Sequence, residues 1–120
     1  MENNNVIKGC HAYGTILGLI RTVEPILKNF PRDIKPTYGD DFRHTLISAM
    51  SSICRAFKST NPAKKAAFLE DVSADIDILK ILTRISVDFK YITPENMASI
   101  DLQLVELGKE IGGWLKSLEY

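Results

Sequence analysis

The chain has 120 residues, 45% of them apolar and 25% charged, with 15 Lys and Arg balancing 15 Asp and Glu. That size suits one domain with a core of its own, and the zero net charge argues against coating nucleic acid or anionic lipid through bulk charge alone. The zero divides unevenly: residues 1–65 carry ten Lys/Arg against five Asp/Glu, and residues 66–120 carry five against ten.

Ahead of the first helix, Asn3, Asn4 and Asn5 read as part of a disordered tail over residues 1–5. From Tyr13 the apolar residues Tyr13, Ile16, Ile20, Val23, Leu27 and Phe30 recur at intervals of three and four, the seam of a packed helix. Pro25 falls inside that pattern and predicts a kink, because it removes an amide donor and crowds the carbonyl of Arg21. Residues 30–39 collect Pro31, Asp33, Pro36 and Gly39, the chemistry of a connecting loop. A second helix starts at about Thr37 or Asp40 and runs to Lys58, with Phe42, Leu46, Ala49 or Met50, Ile53 and Phe57 on one face.

Asn61 then caps a third helix with Pro62 at its first position, and the core residues expected are Phe68, Val72, Ile76, Leu79, Leu82, Ile85 and Phe89. Ile78 and Ile81 widen its apolar arc. Thr93-Pro94-Glu95 repeats the capping pattern before a fourth helix, whose seam runs Met97, Ile100, Leu104, Leu107, Ile111, Trp114, Leu118. Leu102, Val105 and Leu115 lie off this seam, giving more apolar surface than one neighbour covers and predicting self-association. Four helices with short connections, and no strand pattern, predict an all-α antiparallel up-down-up-down four-helix bundle with residues 1–120 as a single domain.

The C-terminal run Glu106-Leu107-Gly108-Lys109-Glu110-Ile111-Gly112-Gly113-Trp114-Leu115-Lys116-Ser117 resembles the ending of a bacterial four-helix-bundle family. That family includes Avd, the accessory variability determinant of diversity-generating retroelements, and proteins encoded by intervening sequences in large-subunit ribosomal RNA genes. Leu27-Lys28-Asn29-Phe30-Pro31-Arg32, Thr37-Tyr38-Gly39-Asp40 and Leu79-Lys80-Ile81-Leu82-Thr83-Arg84 extend the likeness over most of the chain. The resemblance implies a homo-oligomer, pentameric in characterised relatives, with no chemistry of its own. Its Avd branch implies a reverse transcriptase as partner and contact with RNA or DNA template; the intervening-sequence branch has the same fold without an assigned activity. The run Gly39-Asp40-Asp41-Phe42-Arg43 departs from the basic residue common in the family after that glycine.

The candidate nucleic-acid or partner contacts are Arg32, Lys35, Arg43, Lys58, Lys64 and Lys65, for which a solvated face is the plainer reading. An antiparallel bundle divides them into two patches, with Arg32, Lys35 and Arg43 at one end and Lys58, Lys64 and Lys65 at the other. Leu104, Leu107, Ile111, Gly112, Gly113 and Trp114 are the candidates for bundle or oligomer packing. Each glycine inside a helix costs roughly 1 kcal/mol relative to Ala, so Gly112 and Gly113 mark either close backbone approach or a fraying end on which Trp114 packs back. Arg84, amid the apolar residues of the third helix, is expected to pair with Asp88, Asp77 or a residue of a neighbouring subunit, Asp88 being the closer of the two acids.

Cys10 and Cys54 lie 44 positions apart without a secretion signal, which predicts reduced thiols and a cytoplasmic protein. The apolar stretch over residues 12–20 is broken by Gly14, Thr15 and Gly18 and falls short of the ~20 residues of a membrane span. Neither Cys10 with His11 nor His44 with Cys54 forms a nucleophile–base or metal-ligand set, so no catalysis, cofactor or metal is expected.

Overall fold

A computed structural model describes residues 10–118; the expected tail at residues 1–5 lies outside them. Four α-helices follow one another: α1, His11–Lys28; α2, Asp40–Lys58; α3, Pro62–Asp88; and α4, Pro94–Ser117. Each packs on its chain neighbours and α1 packs on α4, so the four form the closed antiparallel bundle expected from the sequence, with α2 and α3 sharing the largest interface.

In α1 the fully buried line is Ala12, Ile16, Leu19, Val23 and Leu27, continued by Phe30 beyond the helix. It shares Ile16, Val23 and Leu27 with the expected seam but takes Ala12 and Leu19 in place of Tyr13 and Ile20. Those two lie about 100° further round the helix and are only half-buried. The helix continues through Pro25 to Lys28, whose charge faces the negative end of the helix dipole.

The segment expected as a loop over residues 30–39 is shorter than that, because Lys35–Gly39 winds into a π-helical turn that runs directly into α2. The Gly39 amide donates to the Ile34 carbonyl at 3.3 Å, a five-residue step. Pro36 is accommodated because the first amides of a helix have no partner to lose.

α2 opens on Asp40 and Asp41 and ends with Arg55 and Lys58, an order of charge that complements the dipole at both ends. Phe42, Leu46, Ala49 and Ile53 are buried as the period predicts; Ala56 takes the last core position, leaving Phe57 half-buried at the end of the bundle.

Asn61 caps α3 as expected, its side chain accepting from the amides of Ala63 (2.9 Å) and Lys64 (3.2 Å). The buried line of α3 is Leu69, Val72, Ile76, Leu79, Leu82, Thr83 and Ser86. Intervals of three and four carry the seam from Val72 through Leu79 onto Thr83 and Ser86, which are hydroxyl residues. They sit in the core because their hydroxyls donate to the carbonyls of Leu79 (2.7 Å) and Leu82 (2.8 Å) one turn back. Ile85 is therefore only half-buried, and Phe89, expected in the core, is 61% exposed.

α3 closes in a Schellman motif: the Tyr91 amide donates to the Ser86 carbonyl (2.7 Å) and the Lys90 amide to the Val87 carbonyl (2.9 Å). Lys90 occupies the left-handed position with φ 64°, where glycine is usual. Thr93 then caps α4, accepting from the Asn96 amide at 3.0 Å. In α4 the seam Ile100, Leu104, Leu107, Ile111 is buried as predicted, and Met97 and Trp114 pack against its two ends.

The two ends of the bundle differ. At the end where α1 turns into α2, rings of Phe30, Phe42, Tyr38, Phe89 and Tyr91 pack together, with centroids 5.7–6.1 Å apart. At the opposite end the start of α1, the end of α2, the start of α3 and the end of α4 surround an open cleft.

Candidate nucleic-acid and partner-binding surfaces

The expected basic residues fall at both ends of α2. At the aromatic end Arg32 and Lys35 are exposed. Arg43 is engaged: its Nε donates to Glu24 Oε1 (3.1 Å) and its Nη2 to Glu24 Oε2 (2.9 Å), a two-pronged bond from α2 to α1, and Nη1 lies 3.5 Å from Asp40. The hydrogen bond from Arg43 holds the Glu24 carboxyl below its usual range, and the same bond raises Arg43. The pair is half-exposed and contributes about 0.2–1 kcal/mol to joining the helices. Arg43 thus serves the bundle, and the acids beside it offset its charge.

At the other end Lys58 and Lys64 are exposed, whereas Lys65 is folded inward. Its ammonium donates to the Ala56 carbonyl at 2.8 Å and approaches that of Phe57 at 3.5 Å, satisfying the last turn of α2. It also lies 5.9 Å from the centre of the Trp114 ring, within cation–π range. Sequence spacing alone does not bring Lys65 and Trp114 together; the fold does.

Of the packing candidates, Leu104, Leu107 and Ile111 are fully buried. Gly112 and Gly113 are exposed, and a Cβ built on either meets nothing within 4 Å, so neither serves close approach inside the bundle. Nor does the helix fray there, since α4 continues to Ser117. On the same side of the bundle, Ile78 and Ile81 of α3 and Leu102 and Val105 of α4 are exposed, Leu102 by 73%. A groove of about 500 Å³ lies between these helices, with Arg84 and Asp101 among its lining residues. Arg84 is not among the ion pairs that the described residues make, so neither Asp88 nor Asp77 of its own chain is its partner, and of the expected partners only a neighbouring subunit stays open. Neither of those pairs links the basic half of the sequence to the acidic half, so they leave the charge asymmetry standing.

The end cleft holds about 690 Å³ between Cys10, His11, Phe57, Lys65, Glu110 and Trp114. Glu110 Oε2 accepts from the Thr15 hydroxyl at 2.9 Å, while Oε1 is buried with no hydrogen-bond partner. Burial pushes the Glu110 carboxyl up; the Thr15 hydroxyl opposes this, Glu106 one turn away adds to it, and His11 opposes it. Burial likewise raises the Cys10 thiol, which disfavours the reactive thiolate even though His11 is adjacent. Sequence reading missed Glu110 and Thr15 because their α4–α1 contact spans 95 positions. The available signal was an acid flanked by the core positions Leu107 and Ile111.

Among the described residues no group of three or more His, Cys, Asp or Glu is placed to hold a metal ion. No helix among them is long and apolar enough to cross a membrane.

No curated protein matches the sequence. The family model for bAvd-like proteins matches residues 15–118, from the first turns of α1 to the end of α4. The exposed cations at both ends, the apolar α3–α4 face and the glycine-bearing last helix are therefore features of a chain that belongs to the bAvd-like family of four-helix bundles.

Proposed function

We propose that the protein is a non-catalytic homo-oligomeric adaptor of the Avd type, which binds a reverse transcriptase and its RNA or DNA template in a diversity-generating retroelement. The observation that carries this reading is the family match over residues 15–118. Arg32, Lys35, Lys58 and Lys64 supply the electrostatic contacts, with Arg43 and Lys65 as positioned members of the two patches. A ring repeats each patch around its axis and concentrates positive potential that the neutral protomer lacks. The exposed Ile78, Ile81, Leu102 and Val105 support assembly, since an apolar face of this kind is covered in an oligomer, with a pentamer expected. Co-purification with the reverse transcriptase encoded beside it tests the partner, and absence of such a gene defeats this reading. Retention of nucleic acid that falls steeply with salt tests the template contact.

One observation favours a second reading. Glu24 and Asp40 offset Arg43, lowering the effective charge of the patch at the aromatic end. On that reading the protein is a structural homo-oligomer of the ribosomal intervening-sequence type, and a mobility shift at physiological salt shows no retention.

A further inference from the structure

The packing of the helices places the α1–α2 pair and the α3–α4 pair on opposite sides of the bundle. Each pair carries an apolar face that the bundle does not cover. On the α3–α4 side it consists of Ile78, Ile81, Leu102 and Val105, with the groove beside them. On the α1–α2 side, Tyr13, Leu17 and Ile20 recur at intervals of four and three along α1, and Ile47, Met50 and Cys54 at intervals of three and four along α2. The next positions in these two rows are Glu24 and Arg43, whose two-pronged bond shows that the rows line the two sides of one groove. Ile47 is 50% exposed and the other five apolar residues are half-buried. Among the four neighbouring helix pairs, α1 and α2 share the smallest interface.

The two sides also differ in charge. α1 and α2 carry five Lys/Arg against three Asp/Glu, whereas α3 and α4 carry six against nine. Arg21 and Arg55 are exposed on the first pair, and Glu70, Asp77, Asp88 and Glu106 on the second. Lys80 and Arg84 line the α3–α4 groove, but acids outnumber bases along those two helices. Two copies meeting through their α3–α4 faces would set acid against acid and leave the α1–α2 face uncovered. Packing the α3–α4 face of one copy on the α1–α2 face of the next covers both and brings unlike charges together. The chain thus supplies both complementary surfaces itself, so a second copy is the occupant that accounts for both.

We propose that copies of this chain associate head to tail, the acidic α3–α4 face of each on the basic α1–α2 face of the next. Such a contact is heterologous, so every copy keeps a face free for another until a ring closes. This rests on the homo-oligomer reading above and adds to it which faces meet. The charge asymmetry that the ion pairs within the chain leave standing is then complemented between copies.

Two double variants of the full chain test the pairing. Ile81→Lys with Leu102→Lys sets new cations against the basic α1–α2 side, and Ile47→Asp with Arg21→Asp sets new acids against the acidic α3–α4 side. All four side chains are exposed, so the protomer keeps its fold, which circular dichroism of the dissociated chains checks. In sedimentation velocity over a dilution series, each variant alone should dissociate about a hundredfold more readily than the unaltered chain, about tenfold for each position changed. Mixed in equal amounts, the two should form a dimer and nothing larger, because the intact α1–α2 face of the first meets the intact α3–α4 face of the second. Raising the salt should weaken the unaltered assembly, since unlike charges meet in it.

Unchanged assembly of the Ile47→Asp, Arg21→Asp variant overturns the proposal in favour of α3–α4 faces meeting each other. A mixture of the two variants that stays monomeric also overturns it, as does an unaltered assembly that salt strengthens. In each of these cases the unaltered chain still assembles, so the homo-oligomer reading stands. An unaltered chain that is monomeric at every concentration defeats both.

Discussion

Replacing Gly112 and Gly113 together by alanine separates the stability of the protomer from that of the assembly. Inside the bundle the added methyl groups meet open space, so the local effect is the helix-propensity gain of about 0.5–1 kcal/mol each. Two such gains give about 1–2 kcal/mol. With an unfolding entropy of about 2.1 cal/mol/K per residue over 120 residues, 1 kcal/mol corresponds to about 4 °C, so the melting midpoint should rise by roughly 4–8 °C. If the glycines let a second copy approach closely, the same methyl groups obstruct that contact and the assembly dissociates at lower dilution. Thermal unfolding followed by circular dichroism at a concentration where the chain is dissociated reads the first effect, and sedimentation velocity over a dilution series reads the second. A fall in the midpoint of the dissociated chain refutes the open-space argument. A higher midpoint with unchanged mass at every dilution refutes the role of these glycines in assembly.

Three further outcomes are expected. Leu107→Ala, at a fully buried site, should cost about 2–5 kcal/mol, whereas Leu102→Ala, at a side chain 73% exposed, should leave the dissociated chain within about 0.5 kcal/mol and weaken self-association; equal melting losses would contradict this division. Lys90→Gly should stabilise by about 1 kcal/mol, because the left-handed φ of 64° disfavours any side chain; an unchanged or lower denaturant midpoint would count against strain at that turn. The carboxyls at the two ends should respond oppositely to acid. Glu24, depressed by Arg43, contributes stability above its usual pKa of 4.5 that is lost as pH falls through its lower folded value. Glu110, raised by burial, contributes stability that is full below 4.5 and lost as pH rises through its higher folded value. Glu110→Gln should therefore flatten the stability profile just above pH 4.5, and an unaltered profile from urea titrations would rule out Glu110 as its source.

The helices and their caps were legible because each rests on a local signal: apolar residues at intervals of three and four, and Asn61-Pro62 or Thr93-Pro94 at a helix start. Where the reading slipped, local pattern did not decide. Leu19 and Ile20 are equally apolar, and only the positions of the neighbouring helices choose between them. Thr83 and Ser86 do not look like core residues, since their burial depends on hydroxyls satisfying the carbonyls one turn back. The basic patches were visible as composition, but the engagement of Arg43 by Glu24 and of Lys65 by the Ala56 carbonyl depends on how the bundle closes. The same holds for the end cleft, which takes residues from all four helices and has no contiguous motif.

The π-helical turn at Lys35–Gly39 affects the thermodynamics of recognition. A loose loop between α1 and α2 would have to be ordered on binding, at about 1–2 kcal/mol of backbone entropy per residue. Here the Pro31 carbonyl already accepts from the amides of Ile34 and Lys35, and Gly39 is tied to Ile34. On the adaptor reading, a partner arriving at this end would have only the side chains of Arg32 and Lys35 to immobilise, at about 0.5–1.5 kcal/mol each. The patch is preorganised, so a small number of exposed cations retains more of its electrostatic attraction as net affinity.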